Sequence, residues 1–288
     1  MGSGIAEVCA RAGVDVVVLE ADQEHADASR SKIEASLERA EKREKIDAAG
    51  RTGALEQLRW TTSIDDLADR ELVIEAIVED KQSKLDTFEA LAGVVDDRDA
   101  VLASNTSSIP IVELGRAAGD RADHVLGLHF FNPVPVLSLV EVIPSLLTDD
   151  AVADRARTFA AEQLGKDPID APDRAGFTIN ALLVPYLLSA IRMLDQGLAT
   201  AEDIDEGMVK GCNHPMGPLA LCDLIGLDTV LGIAETLYAE QREQLFAPPP
   251  LLQRLVSAGL LGRKSGRGLY TYESASQRSP AKRATWRS

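Results

Sequence analysis

Met1-Gly2-Ser3-Gly4-Ile5-Ala6-Glu7-Val8-Cys9-Ala10-Arg11-Ala12-Gly13-Val14-Asp15-Val16-Val17-Val18-Leu19-Glu20 opens the chain and decides how its fold is read. Ile5, Val8, Cys9 and Ala12 recur at helical spacing, and Gly13 then supplies a C-terminal stop. Val14–Leu19 is apolar except for Asp15 and ends in Glu20, the pattern of a strand buried in a parallel sheet. Helix, strand and terminal acid in this order form the later part of a dinucleotide-binding unit, in which a first strand and a G-x-G-x-x-G turn precede the helix. Gly2 stands where the third glycine belongs, 18 residues before Glu20. A carboxylate at that strand end accepts from a ribose 2′-hydroxyl and repels a 2′-phosphate. The first strand and first two glycines are not in the sequence. Roughly ten or more residues, an apolar strand and Gly-x-Gly-x, are therefore expected ahead of Met1. The same residues also suit a plainer account, ordinary N-terminal glycines and a strand-end acid.

Outward from this stretch, helix-like and strand-like segments alternate. A charged amphipathic stretch runs from Asp22 to Ala49. Branched-residue runs follow at Leu72–Ile77, Ala100–Ala103 and His124–Leu128, with helical patches at Lys81–Val95 and Ile109–Ala118. Such alternation predicts an open parallel sheet with right-handed crossovers. Near Pro172 the pattern changes. Amphipathic helices are expected at Ile179–Asp195, Ala201–Lys210, Pro218–Ile225, Thr229–Gln244 and Leu251–Ala258, with strand character only at Gly268–Tyr272. The predicted fold class is α/β: a Rossmann-like parallel-sheet domain over 1–172, incomplete at its N-terminus, then an all-helical domain over 173–273 for substrate and dimerisation. Residues 274–288 read as a disordered tail, polar and without an apolar period.

The 288 residues suffice for two ordinary domains, and a hydrophobic fraction of 45% excludes disorder of the whole chain. Thirty basic against forty-six acidic residues leave a net charge of −16. That balance argues against a general nucleic-acid binder, which needs a broad basic face. Cys9, Cys212 and Cys222 show no paired metal spacing, so neither a zinc site nor a disulfide framework is expected. No signal peptide is apparent, and the most apolar helix, Asn180–Met193, is too short to span a bilayer. The expected setting is soluble and cytoplasmic, with no metal, nucleic acid or membrane partner.

Ser104-Asn105-Thr106-Ser107-Ser108-Ile109-Pro110 follows a strand candidate. Its hydroxyls and amide suit helix capping and equally suit a ligand oxygen. His129-Phe130-Phe131-Asn132-Pro133-Val134-Pro135 comes next, with Glu141 twelve residues after the histidine. His129 ends a strand on its carboxyl side, where open α/β sheets gather ligands. A glutamate accepting from one ring nitrogen leaves the other as a base near neutral pH, so His129 and Glu141 form a candidate proton-transfer pair. A structural histidine is the competing account.

These runs, with Leu139-Val140-Glu141-Val142-Ile143, resemble the signature of the L-3-hydroxyacyl-CoA dehydrogenase family, most like its bacterial 3-hydroxybutyryl-CoA branch. Gly176-Phe177-x-x-Asn180, Asn213-His214-Pro215-Met216-Gly217-Pro218, Asp223–Asp228 and Gly262-Arg263-Lys264-Ser265-Gly266-Arg267-Gly268 extend the resemblance to Tyr272. It implies an NAD-dependent oxidoreductase, NADP being the weaker alternative, that interconverts a (3S)-3-hydroxyacyl-CoA and its 3-oxoacyl-CoA in fatty acid metabolism and beta-oxidation. A homodimer is implied as well. In that resemblance His129 is the general base, Glu141 orients it, and Ser107 and Asn180 bind the reacting oxygen. Gly2, Glu20, Glu79, Lys84, Asn105 and Asn132 fall at cofactor positions. Ser36, Lys42 and Arg43 lie nearest the contacts for the coenzyme A phosphates. Ala175, Ala181 and Ser138 depart from the family's usual Pro, Arg and Lys.

Arg30–Lys45 carries six basic residues against four acids, which fits either those phosphates or a solvated helix with Glu38–Lys42 and Glu41–Lys45 pairs. Two further readings stay open. One is a dehydrogenase of a 3-hydroxy acid without coenzyme A, against which the histidine–glutamate pair speaks. The other is a non-catalytic or cofactor-impaired remnant, against which Ser107, His129, Glu141 and Asn180 speak together.

Overall fold

The computed structural model describes residues 1–272 and the backbone of Arg278–Pro280. The tail expected from Ser274 otherwise lies outside the described residues. The chain divides into two units, Met1–Phe177 and Thr178 onward.

In the first unit, α1 (Gly2–Arg11) leads into β1 (Val16–Leu19), α2 (Gln23–Lys42), α3 (Ala48–Glu56) and β2 (Leu58–Thr61). Then come β3 (Leu72–Glu75), α4 (Lys81–Val94), β4 (Val101–Ser104), α5 (Ile111–Ala117), β5 (Val125–Phe130), β6 (Leu139–Pro144), α6 (Asp150–Thr158) and β7 (Asp167–Asp170). The charged amphipathic stretch over Asp22–Ala49 holds α2 and the start of α3. Glu44 takes a left-handed φ of 57°, and Asp47 starts α3 afresh by accepting from the Gly50 N–H at 2.7 Å. Helix α5 begins at Ile111 rather than Ile109, because Pro110 occupies its N-cap in an extended conformation.

β1 pairs parallel with β2, and β3-β4-β5-β6-β7 form a second sheet. That sheet is not wholly parallel as expected: β6 runs antiparallel to β5, and β7 parallel to β6. The reversal follows from the short Phe131–Ser138 connection, which is too short for a helical crossover. Its register sets His129 directly opposite Glu141. β4 and β5 are buried throughout, whereas β1 and most of β3 are half-buried. Both belong to the edge of their own sheet, and one helix serves both: Ile5, Val8 and Cys9 of α1 cluster with Val16, Leu72, Ile74 and Val101.

The second unit contains α7 (Ile179–Asp195), α8 (Ala201–Cys212), α9 (Pro218–Ile225), α10 (Leu227–Gln241) and α11 (Pro250–Ser257), then β8 (Tyr270–Tyr272) paired antiparallel with β9 (Arg278–Pro280). Two buried carboxylates organise it. Asp205 accepts from the Leu219 and Ala220 N–H groups at 2.8 and 3.0 Å and from the Tyr270 hydroxyl at 2.9 Å. Asp223 accepts from the Leu269 and Tyr270 N–H groups and the Tyr272 hydroxyl. Gly262, at φ 94°, has no room for a Cβ against the Asp223 backbone, which accounts for a glycine in that motif. Among the described residues no helix is long and apolar enough to cross a membrane.

Candidate functional site

The turn after β4 is built on a buried acid. Glu75, the last residue of β3, accepts from the Lys84 ammonium at 2.7 Å, from the Ser104 hydroxyl at 2.7 Å and from the Ile77 N–H. Lys84 also reaches Glu79 at 3.3 Å and is 1% exposed. Its ammonium is thus committed to two carboxylates. Glu79 in turn accepts from the Thr106 hydroxyl at 2.6 Å, the Ser107 N–H at 2.9 Å and the Ser108 hydroxyl at 3.0 Å. Burial alone would raise the Glu79 carboxyl, but these donors and Lys84 outweigh it and hold its pKa below the ordinary value. The hydroxyl-rich turn is therefore fixed in place, with Ser107 delivered to the next strand.

There the Ser107 Oγ lies 3.2 Å from His129 Nε2, and His129 Nδ1 lies 2.8 Å from Glu141 Oε2. The histidine and glutamate side chains are 6% and 0% exposed, so their hydrogen bond is formed away from water. With a carboxylate on Nδ1, the neutral ring carries its proton on that nitrogen and turns the Nε2 lone pair toward Ser107. Phe131 packs edge-on to the imidazole at 4.7 Å, and Phe177 lies 5.5 Å away at a left-handed φ of 49°. Asn105 accepts from the Phe130 N–H at 2.8 Å, tying the turn after β4 to β5 one residue beyond the histidine. Asn132 is exposed on the loop that follows.

At the other end of the unit no described side chain caps the first turn of α1, which starts on the small residues Gly2, Ser3 and Gly4. Gly2 faces Ala76, just past β3, with 3.7 Å left to a Cβ. Glu20 follows β1 half-buried, and its N–H donates to Thr61. An uncapped helix start, with a carboxylate at the end of the strand that follows, fits a dinucleotide: N–H groups for its phosphates and an acceptor for a ribose hydroxyl. Ser36 and Lys42 lie on the last turns of α2 and Arg43 caps its C-terminus, and Lys42 is 2.6 Å from Glu38. The second expected pair does not form, because Glu41 meets Arg51 of α3 at 3.0 Å instead of Lys45. Asn180 stands in the first turn of α7, in the second unit.

The family model described as "3-hydroxyacyl-CoA dehydrogenase, NAD binding domain" matches residues 1–174, and the one described as its C-terminal domain matches 176–272. The chain belongs to the 3-hydroxyacyl-CoA dehydrogenase family. Its NAD-binding Rossmann unit and helical unit are those of a family of oxidoreductases. A 3-hydroxybutyryl-CoA dehydrogenase of Mycobacterium tuberculosis is 56% identical over 272 residues, covering 94% of this chain and 95% of that one. A probable 3-hydroxybutyryl-CoA dehydrogenase of Deinococcus radiodurans is 47% identical, covering 94% and 96%. The crystal structure of (S)-3-hydroxybutyryl-CoA dehydrogenase from Ralstonia eutropha superposes with a TM-score of 0.90 at 43% identity, covering 95% of this chain and 96% of that one.

Within this dehydrogenase framework several residues escape a reading of motifs. Thr106 shares Glu79 with Ser107, and Glu75 anchors Lys84. Asp173 receives the Ile111 and Val112 N–H groups at 2.7 and 2.9 Å, binding the end of the unit to the start of α5. A small polar turn after a strand was the signal for Ser107. Nothing comparable marks Asp173, which accepts from two main-chain N–H groups 62 and 61 residues away in sequence.

Proposed function

We propose that the protein interconverts (3S)-3-hydroxyacyl-CoA, with 3-hydroxybutyryl-CoA the favoured substrate, and the corresponding 3-oxoacyl-CoA, using NAD rather than NADP. The observation that carries this reading is the Ser107–His129–Glu141 chain, 3.2 and 2.8 Å long in its two links. Its substrate class follows the names of the relatives.

In the oxidative direction His129 Nε2 takes the proton of the substrate 3-hydroxyl. Glu141 accepts the Nδ1–H throughout and stabilises the imidazolium that results. Ser107, fixed by Glu79, donates to the reacting oxygen, and Asn180 is assigned to the same oxygen. The nicotinamide, when bound, supplies the hydride acceptor at C3. Its phosphates are assigned to the N-terminal turn of α1 at Gly2, its adenosine ribose to Glu20, and further contacts to Glu79, Asn105 and Asn132. Lys84 acts from behind, through Glu75 and Glu79. Ser36, Lys42 and Arg43 are assigned to the coenzyme A phosphates, whose remote binding energy positions C3. The working form is proposed to be a cytoplasmic homodimer.

The test is reduction of acetoacetyl-CoA by NADH with the unaltered chain and with His129→Gln. Loss of a general acid–base group costs about 10²–10⁴-fold in rate, with binding of the coenzyme A ester nearly intact. A variant keeping more than about a tenth of kcat would require another base.

A further inference from the structure

Phe131–Ser138 joins the two strands that carry His129 and Glu141, and it is held from a direction the reaction itself does not explain. Lys166 Nζ donates to Val134 O and to Leu137 O, each at 2.7 Å. Two main-chain carbonyls three residues apart in one loop are thus gathered on a single ammonium. The backbone that delivers this lysine is unusual. Helix α6 widens into a π turn over Phe159–Gln163, Gly165 reverses the chain at φ 60°, and the Lys166 N–H returns to Ala160 O at 2.9 Å. Asp167 then donates to Ser138 O at 2.9 Å, so consecutive residues take hold of the far end of the loop. Burial lowers the Lys166 ammonium below its ordinary pKa, Arg11 adds to the effect and Asp167 opposes it.

On its other side the loop rests on the helix assigned to the cofactor. Val134 is buried in the cluster of Ile5 and Val8, and a Cβ at Gly4 would come within 3.1 Å of Val134 Cβ. Phe131 at the start of the loop is the ring packed against His129, and Asn132 follows it. The loop is thus wedged between α1 and Lys166, with the base at one end and its orienting carboxylate beyond the other.

We propose that Lys166 is a positioning residue for the reaction: by bonding Val134 O and Leu137 O it fixes the Phe131–Ser138 loop, and through it the placement of Phe131 against His129 and of Asn132. The proposal rests on the dehydrogenase reading for its kinetic consequence, and on the loop alone for its structural one. Lys166→Met keeps the length of the side chain and removes its donors. Lys166→Arg keeps a cation with several donors and serves as the conservative variant.

Two measurements decide it. Amide exchange over 131–138, including the Val136 and Leu137 N–H groups that bond Pro133 O, is followed in the unaltered chain and both variants. Acetoacetyl-CoA reduction by NADH is measured on the same three proteins. Lys166→Met is expected to speed exchange of these amides by on the order of tenfold while exchange in β4 and β5 stays unchanged. It is also expected to lower kcat by on the order of 10- to 100-fold, the cost of a misplaced reacting group. Lys166→Arg is expected to recover most of both. Unchanged exchange in Lys166→Met overturns the clamp. Faster exchange with unchanged kinetics overturns the positioning role and leaves a structural tie. If the unaltered chain shows no turnover, the dehydrogenase reading fails on its own account, and exchange at 131–138 still decides for or against the clamp.

Discussion

Glu141 meets the imidazole at one nitrogen, so its charge can be separated from its shape by a single substitution. Glu141→Gln keeps the side chain's size, removes the anion that stabilises the imidazolium and offers an NH2 group as readily as an oxygen to Nδ1. The expected result is a fall in kcat of on the order of 10²-fold or more, with little change in KM for acetoacetyl-CoA. A rise in KM alone would place Glu141 in binding instead. Glu20 permits a second separation. Its carboxylate suits a ribose hydroxyl and repels a phosphate, and Asp22 and Glu24 add negative charge nearby. kcat/KM is therefore expected to favour NADH over NADPH, and Glu20→Ser to narrow the ratio. Equal values for the unaltered protein would defeat the assignment. Ser107, His129 and Glu141 were legible because chemically distinct residues stand at strand ends in a fixed order. The contact of Phe177 with the histidine and the bonds of Lys166 were not. Phe177 reaches the histidine through a left-handed turn that its own side chain does not favour, and Lys166 uses carbonyl acceptors that every sequence possesses.

At the scale of elements, legibility followed hydrophobic period. The helices of the second unit bury one face each, and α7 and α9 run over the residues expected. β2, β6 and β7 carried weaker signals. β7 reads Asp-Pro-Ile-Asp and is held in its sheet by β6 alone, and β2 is four residues with one exposed arginine. The antiparallel turn of β6 was likewise invisible, since it depends on loop length and not on residue type. The half-buried strands β1 and β3 have a testable consequence. Among the described residues each pairs with one strand, and Val16, Leu72 and Ile74 pack against α1. A parallel apolar strand with a Gly-x-Gly-x turn, appended ahead of α1, is expected to raise Tm and tighten NADH binding, because it covers their other sides and supplies a turn at the helix N-terminus. An appended chain that melts at the same temperature and binds NADH equally well would show that neither edge is short of a partner.

For the molecule as a whole the dominant quantity is its charge of −16. Exposed ion pairs such as Arg98–Asp120 and Lys42–Glu38 contribute little and weaken in salt. Repulsion among the sixteen excess carboxylates acts over longer distances and is weakened more strongly, because the Debye length falls from about 30 Å at 0.01 M to about 10 Å at 0.1 M. Salt is therefore expected to raise Tm at pH 8. Acid relieves the same repulsion from the other side. Asp223, raised chiefly by its burial in the second unit, is a carboxyl whose folded pKa lies above its unfolded one. The penalty for its charge is present above the folded pKa and is relieved as pH falls through it. Glu79, held below the ordinary carboxyl value of about 4.3, contributes stability that is lost only as pH falls through its own lower pKa. As pH falls from 8 the penalty at Asp223 is relieved while Glu79 stays ionised to lower pH, so stability is expected to be higher on the acid side of neutral than at pH 8. Because salt and protons act on one repulsion, the rise in Tm between 0.01 M and 0.1 M salt is expected to be clearly smaller at about pH 5.5 than at about pH 8. Melting curves at the four combinations test this. Equal increments at both pH values, or a fall in Tm with salt at pH 8, would show that local pairs and not the net charge govern the response.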